Sequence, residues 1–170
     1  MTDDLRTWVA DTSSIIEIRQ AGLATSKQLA IFKSLTQLVA RGQLIFPPQL
    51  CEELEAGLSS HGEDRALLWA RAARNTAERR ADLETVRRVL GRAPKLIDAD
   101  STRDPADPYV IALALDSVSI GGISILSDDR RDYPDGKGGI KKLSVATVAG
   151  LYGIPVVPLA GFILDFGDTR

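Results

Sequence analysis

Thr7-Trp8-Val9-Ala10-Asp11-Thr12-Ser13-Ser14-Ile15-Ile16-Glu17 decides the fold. Its first half is a short apolar run of the kind that forms a buried strand. The run ends in a carboxylate, Asp11, and three hydroxyl residues follow. Ser14 and Glu17 have the S-x-x-E spacing of a capping box, which predicts a helix starting at Ser14. Asp11 is then expected at the carboxyl end of a strand, in the turn into a helix. Open α/β sheets hold their ligands at that edge.

The same alternation repeats outward from this stretch. A helix is predicted from Ser26 to Arg41, with Leu29, Phe32, Leu35, Leu38 and Val39 at helical spacing and Gly42 as its stop. Gln43-Leu44-Ile45-Phe46 reads as a buried strand. Pro48 opens the next helix, which carries Leu50, Leu54 and Leu58 on one stripe. Glu53 projects beside that stripe, whereas Glu52 and Glu55 point further round. A carboxylate aimed inward is costly without a partner.

Glu63 to Arg80 and Asp82 to Leu90 are expected to form a helical hairpin, and Lys95-Leu96-Ile97-Asp98 a weak strand. Asp107-Pro108 then starts an apolar helix reaching Asp116, with Asp107 as its cap. Ile123-Ser124-Ile125-Leu126-Ser127 is the clearest strand and ends in Asp128-Asp129. A polar loop runs through Gly139. Leu143 to Leu151 reads as a helix, and Ile154 to Leu159 as the last strand. Strands alternating with helices predict one α/β domain, a three-layer α/β/α sandwich around a mostly parallel sheet of four or five strands.

Composition narrows the chemistry. The chain has 170 residues, 44% of them hydrophobic and 26% charged, which is ordinary for a globular protein with a full core. A net charge of −2 gives no global attraction to nucleic acid, so such binding needs a local patch. One cysteine, Cys51, excludes an internal disulfide, and one histidine, His61, leaves little scope for histidine-based metal sites. Both are expected to be structural or incidental. Metal or acid–base chemistry would have to run on Asp and Glu. No apolar run reaches the roughly 20 residues of a membrane span. The acidic start, Met1-Thr2-Asp3-Asp4, has no signal-peptide pattern, and a cytoplasmic location is expected.

If the strands are parallel, Asp11, Glu53, Asp107 and Asp128-Asp129 all reach one sheet edge. Carboxylates gathered so closely repel one another. Hard divalent cations compensate them, and two ions about 4 Å apart can activate water for phosphodiester cleavage. Simpler readings exist for each residue alone. Asp11 and Asp107 could cap helices, Glu53 could pair with an arginine, and Asp128-Asp129 could be a solvated turn. The coincidence of all of them at one edge favours the site.

These segments together resemble the PIN-domain ribonucleases, which include VapC-type toxins. The resemblance rests on Val9-Ala10-Asp11-Thr12-Ser13, Glu53-Leu54, Asp107-Pro108-Tyr109-Val110-Ile111-Ala112 and Leu126-Ser127-Asp128-Asp129. It implies a metal-dependent endoribonuclease in which Asp11, Glu53, Asp107 and Asp129 hold Mg²⁺ or Mn²⁺, with Asp104 and Asp128 in reserve. Thr12, Ser13, Ser127, Arg130 and Arg131 are the expected substrate contacts. Among the bordering cations Arg130, Arg131, Lys137, Lys141 and Lys142, the backbone of RNA would find its counter-charge. The arginines from Arg71 to Arg92 read instead as a solvated helical surface. The resemblance admits two protein partners, an antitoxin and a second copy of the chain. The long arginine-rich helical region, the loop from Arg130 to Gly139 and the tail after Leu159 set this chain apart from the small toxins. A non-catalytic binding module is the alternative. A haloacid-dehalogenase-type hydrolase is disfavoured because Ser13 stands where its second Asp would be.

Overall fold

A computed structural model describes residues 5–57, 64–117 and 119–166. The expectations for Met1 to Asp4, Leu58, His61 and Glu63 lie outside the described residues. Strand β1 (Thr7–Ala10) is central, flanked by β2 (Leu44–Ile45) and β3 (Ile123–Leu126), and a fourth strand (Val156–Val157) lies beyond β3. All of these pairings are parallel, with Val9 opposite both Ile45 and Ile125. Their carboxyl ends therefore share one edge of the sheet.

Alternation along each strand divides the core in two. Trp8, Ala10, Leu44 and Leu126 face one side, under α1 (Thr12–Gln20), α2 (Thr25–Ala40), α3 (Pro48–Ala56) and α4 (Arg65–Ala77). Val9, Ile45 and Ile125 face the other, under α5 (Leu83–Arg92), α6 (Asp107–Asp116) and α7 (Val145–Gly150). A last helix, α8 (Leu159–Phe166), seats Phe162 edge-on against Trp8 on the first side, with ring centroids 5.4 Å apart. The chain is thus a three-layer α/β/α sandwich, as its sequence predicts. No helix among the described residues is long and apolar enough to cross a membrane.

Several local readings are corrected. Helix α1 starts at Thr12, not Ser14, because Asp11 takes the capping position and accepts the Thr12 N–H at 2.9 Å. The hydroxyl of Ser14 is spent elsewhere, on Asp128 at 2.7 Å. In α2, Leu29 is 53% exposed and Ile31 is buried instead. Helices α4 and α5 are not a hairpin. After α4 the chain lies along β2, where Phe46 N donates to Ala77 O and Arg79 N donates to Phe46 O. It then crosses to the opposite face, where Asp82 caps α5 through the Glu84 and Thr85 amides. Trp69 of α4 is buried against Phe32 and Phe46, as expected for a core residue.

The segment Lys95 to Asp98 is not a strand. Pro94–Leu96 forms a short 3-10 turn whose Lys95 carbonyl receives the Leu143 N–H. The loop expected between Arg130 and Gly139 instead contributes to a small antiparallel hairpin, β4 (Tyr133–Pro134) with β5 (Ile140–Lys142). The strand Val156–Val157 is β6 in chain order. Glycine is required at Gly121, where a Cβ would lie 2.6 Å from Arg6 N, in the backbone entering β1. That close approach lets Ser119 Oγ and Gly122 O bond to the start of β1.

Candidate functional site at the carboxyl edge of the sheet

Asp11 follows β1 directly and is 2% exposed. Besides the Thr12 amide on Oδ1, its Oδ2 accepts hydrogen bonds from Ser13 Oγ at 2.6 Å and Ser127 Oγ at 2.7 Å. Ser127, at the end of β3, also accepts the Asp129 N–H at 3.1 Å. Two strand ends are thereby tied through one hydroxyl. Burial drives the Asp11 carboxyl above its ordinary range. The two hydroxyls oppose this, while the charges of Glu53 and Asp129 add to it.

Glu53 is half-buried on α3. Its Oε1 accepts the Ala106 N–H at 2.8 Å, so it fastens the residue just before α6. Its carboxyl is raised by burial first and by Asp107 further, against the pull of Thr12, Ala106 and Lys142. Its hydrogen-bond partner is this backbone amide, not the arginine of the simpler reading. Thr12 Oγ1 is buried and makes no aligned hydrogen bond.

Asp107 is the first residue of α6 rather than its cap. Ala106 holds the cap position, and no side chain caps this helix. The carboxylate is 8% exposed and free of the structural duty that the sequence offered for it. Burial, then Asp11, push its carboxyl to about 6, with Asp129 adding and Lys142 opposing. Asp129 is 9% exposed, so it is not a solvated turn. Its Oδ2 receives the Val145 N–H at 3.0 Å and its carbonyl the Ala146 N–H, which fixes it at the start of α7.

The four acids come from the β1–α1 junction, α3, α6 and the β3–β4 connection. They are close enough for Asp11 to feel Glu53 and Asp129, and for Asp107 to feel Asp11 and Asp129. One cation stands among them. Lys142 Nζ lies 2.6 Å from Asp107 Oδ2 and 3.6 Å from Asp129 Oδ2. The close contact is an ion pair that satisfies Asp107 Oδ2, while Asp129 Oδ1 is a buried acceptor without a hydrogen bond. Burial works against the Lys142 charge, but Asp107 and Asp129 outweigh it and the ammonium is held above its ordinary value. Sequence reasoning put Lys142 at the border of the site; the structure puts it inside. Pro134-Asp135-Gly136 was the signal for the hairpin that carries it.

The donor set is all oxygen, and Asp129 Oδ1 is buried without a hydrogen bond, which fits a hard divalent cation in chemistry. It is not closed around one point: among the described residues no three His, Cys, Asp or Glu side chains stand together as a metal-binding group.

The reserve residues are not in this hollow. Asp104 accepts the Tyr109 hydroxyl at 2.7 Å on the exposed side of α6. Asp128 turns the other way, its Oδ2 accepting from Ser14 Oγ and from Leu159 N, the first amide of α8. It is therefore a clamp between α1 and α8. Asp128→Ala leaves the buried Ser14 hydroxyl unpaired and is expected to lower stability by about 1–3 kcal/mol. Chemical denaturation checks this, and an unchanged midpoint would dismiss the clamp.

Arg130 and Arg131 are exposed, and with Asp128, Asp129, Asp132 and Tyr133 they line a cavity of about 540 Å³ beside the acids. The other cations are mostly engaged away from it. Lys141 pairs with Asp98 and Asp100, each at 3.2 Å, and Arg71, Arg74 and Arg87 pair with Glu55, Glu78 and Glu84. Cys51 is buried in the core. Comparison with protein-family models, with curated proteins and with solved structures finds no match to this chain.

Proposed function

We propose that the protein is a metal-dependent endoribonuclease of PIN-like type, acting in the cytoplasm. The observation that carries this reading is the meeting of Asp11, Glu53, Asp107 and Asp129 at one sheet edge, with a buried Asp129 oxygen that has no hydrogen bond. Asp11, Glu53, Asp107 and Asp129 would hold one or two Mg²⁺ or Mn²⁺ ions. Such an ion supplies a nucleophile at neutral pH and stabilises the charge of the departing oxygen.

The chain's own residues do the rest. Ser13 and Ser127 hold the Asp11 carboxylate in one orientation by donating to the same oxygen. Glu53 fixes the entry to α6 and so fixes Asp107. Arg130 and Arg131, at the rim of the neighbouring cavity, offer guanidinium groups to the phosphates on either side of the cleaved bond. An antitoxin or a second copy of the chain remains a partner to be sought for the toxin version of this reading.

The test is incubation of labelled RNA with the protein in Mn²⁺, in EDTA, and in EDTA followed by excess Mn²⁺. Cleavage in the first and third and none in the second is expected. Cleavage that persists in EDTA, or none in Mn²⁺, would remove the proposal. The second reading, a non-catalytic binding module, is favoured by one observation: Lys142 already neutralises part of the hollow. It gains if titration shows no Mn²⁺ bound at millimolar concentration.

A further inference from the structure

We infer that Lys142 is a tethered cation that competes with the divalent ion for Asp107 and Asp129, so that metal enters this site by exchange with an ammonium. The inference rests on the metal-dependent reading above. Its basis is the mismatch between what Lys142 supplies and what the acids require. An ammonium has three donors. Here it makes one close contact, to Asp107 Oδ2, and a longer one to Asp129 Oδ2. It leaves the buried Asp129 Oδ1 without a hydrogen bond. It balances charge and leaves coordination unmet. A cation that binds several oxygens at once would serve the same atoms better.

The hairpin explains how Lys142 is held there and how it can leave. Adjacent residues of a strand face opposite sides. Lys141 therefore points outward to Asp98 and Asp100, while Lys142 points into the hollow. The backbone is fastened outside the site, with Lys95 Nζ donating to Ile140 O and Leu143 N to Lys95 O. The half-exposed Tyr133 ring has its centroid 5.3 Å from Nζ. The flexible four-carbon stem can swing without moving these anchors. A divalent ion held by Asp107 would meet the carboxylate that Lys142 occupies, so one would exclude the other.

The experiment is calorimetric titration of Mn²⁺ into the wild type, Lys142→Met and Lys142→Arg, with melting temperatures measured in EDTA and in Mn²⁺. Lys142→Met should bind Mn²⁺ about tenfold more tightly, within the usual range of coupling between competing ligands. Lys142→Arg, which keeps the charge, should bind close to wild type. Lys142→Met should also gain more melting temperature from Mn²⁺ than the wild type does. If Lys142→Met does not fold without metal, Lys142→Gln takes its place in the titration. Binding of Mn²⁺ by wild type and Lys142→Met with equal affinity, or more weakly by the variant, would overturn the exchange and leave the nuclease reading intact. Absence of Mn²⁺ binding in every protein would overturn both.

Discussion

Asp11→Asn is expected to reduce RNA cleavage by at least about 100-fold while leaving the fold intact. Asp11 is the most deeply buried of the four acids. It is 2% exposed, carries three hydrogen bonds, and sits where the charges of Glu53 and Asp129 reach it. Asparagine is nearly the same shape. Its carbonyl can still accept the Thr12 N–H, and its amide can donate to Ser13 or Ser127, because hydroxyl oxygens accept as well as donate. The pair Ser13 Oγ and Ser127 Oγ, 3.1 Å apart, can reorient their protons to fit. What asparagine lacks is the negative charge. Burial already holds the carboxyl above its ordinary range, so removing that charge should not lower the melting temperature. Loss of cleavage with an unchanged melt assigns the charge to catalysis. Cleavage at the wild-type rate would remove Asp11 from the mechanism.

The path from sequence to this site was uneven, and the unevenness is physical. The placement of Asp11 and Asp129 was legible because each follows an apolar run that can only be a buried strand, and the strands are parallel. Glu53 was legible because a helix stripe fixes the direction of its neighbours. Asp107 was placed with the others through a third strand, Lys95 to Asp98, which does not exist. It arrives nonetheless because the chain before α6 is held by Glu53 through Ala106. That contact joins residues 53 positions apart and leaves no local pattern. The supposed hairpin of α4 and α5 fails for a related reason. Helical periodicity shows that each helix has an apolar stripe; it does not show which face of the sheet that stripe will cover. Here Ala77 and Arg79 dock on Phe46 at the sheet edge, and that edge sends the two helices to opposite sides. Lys142 was seen as one cation among five, since only the pleat of β5 separates its direction from that of Lys141.

The second large effect is on stability, and its sign separates this acidic hollow from the rest of the surface. Asp11, Glu53 and Asp107 all have carboxyls raised in the folded chain, Asp107 to about 6 from an ordinary 3.8. A raised carboxyl binds its proton more tightly when folded than when unfolded. Its contribution to stability is complete below the unfolded value and is lost as pH rises through the folded one. For Asp107 that window runs from about pH 4 to about pH 6. Asp98, Asp132 and Asp135 are shifted the opposite way, below the ordinary range, by backbone amides first. They are ionised in both states above pH 5 and contribute no slope there.

In EDTA the protein should therefore be more stable at pH 5 than at pH 7.5, by about 1.4 kcal/mol from Asp107 alone, since part of its contribution is already lost at pH 5. For a chain of this length that is about 3–6 °C in melting temperature. Asp107→Asn cannot ionise and should flatten much of the slope. Saturating Mn²⁺ should flatten it in the wild type, since a bound cation favours the ionised carboxylates that acid would otherwise protonate. Melting curves at the two pH values, with and without Mn²⁺, decide the matter. A wild-type protein that is more stable at pH 7.5 than at pH 5 in EDTA would mean that these acids do not repel one another as the geometry requires. A slope unchanged in Asp107→Asn would move its origin elsewhere in the chain.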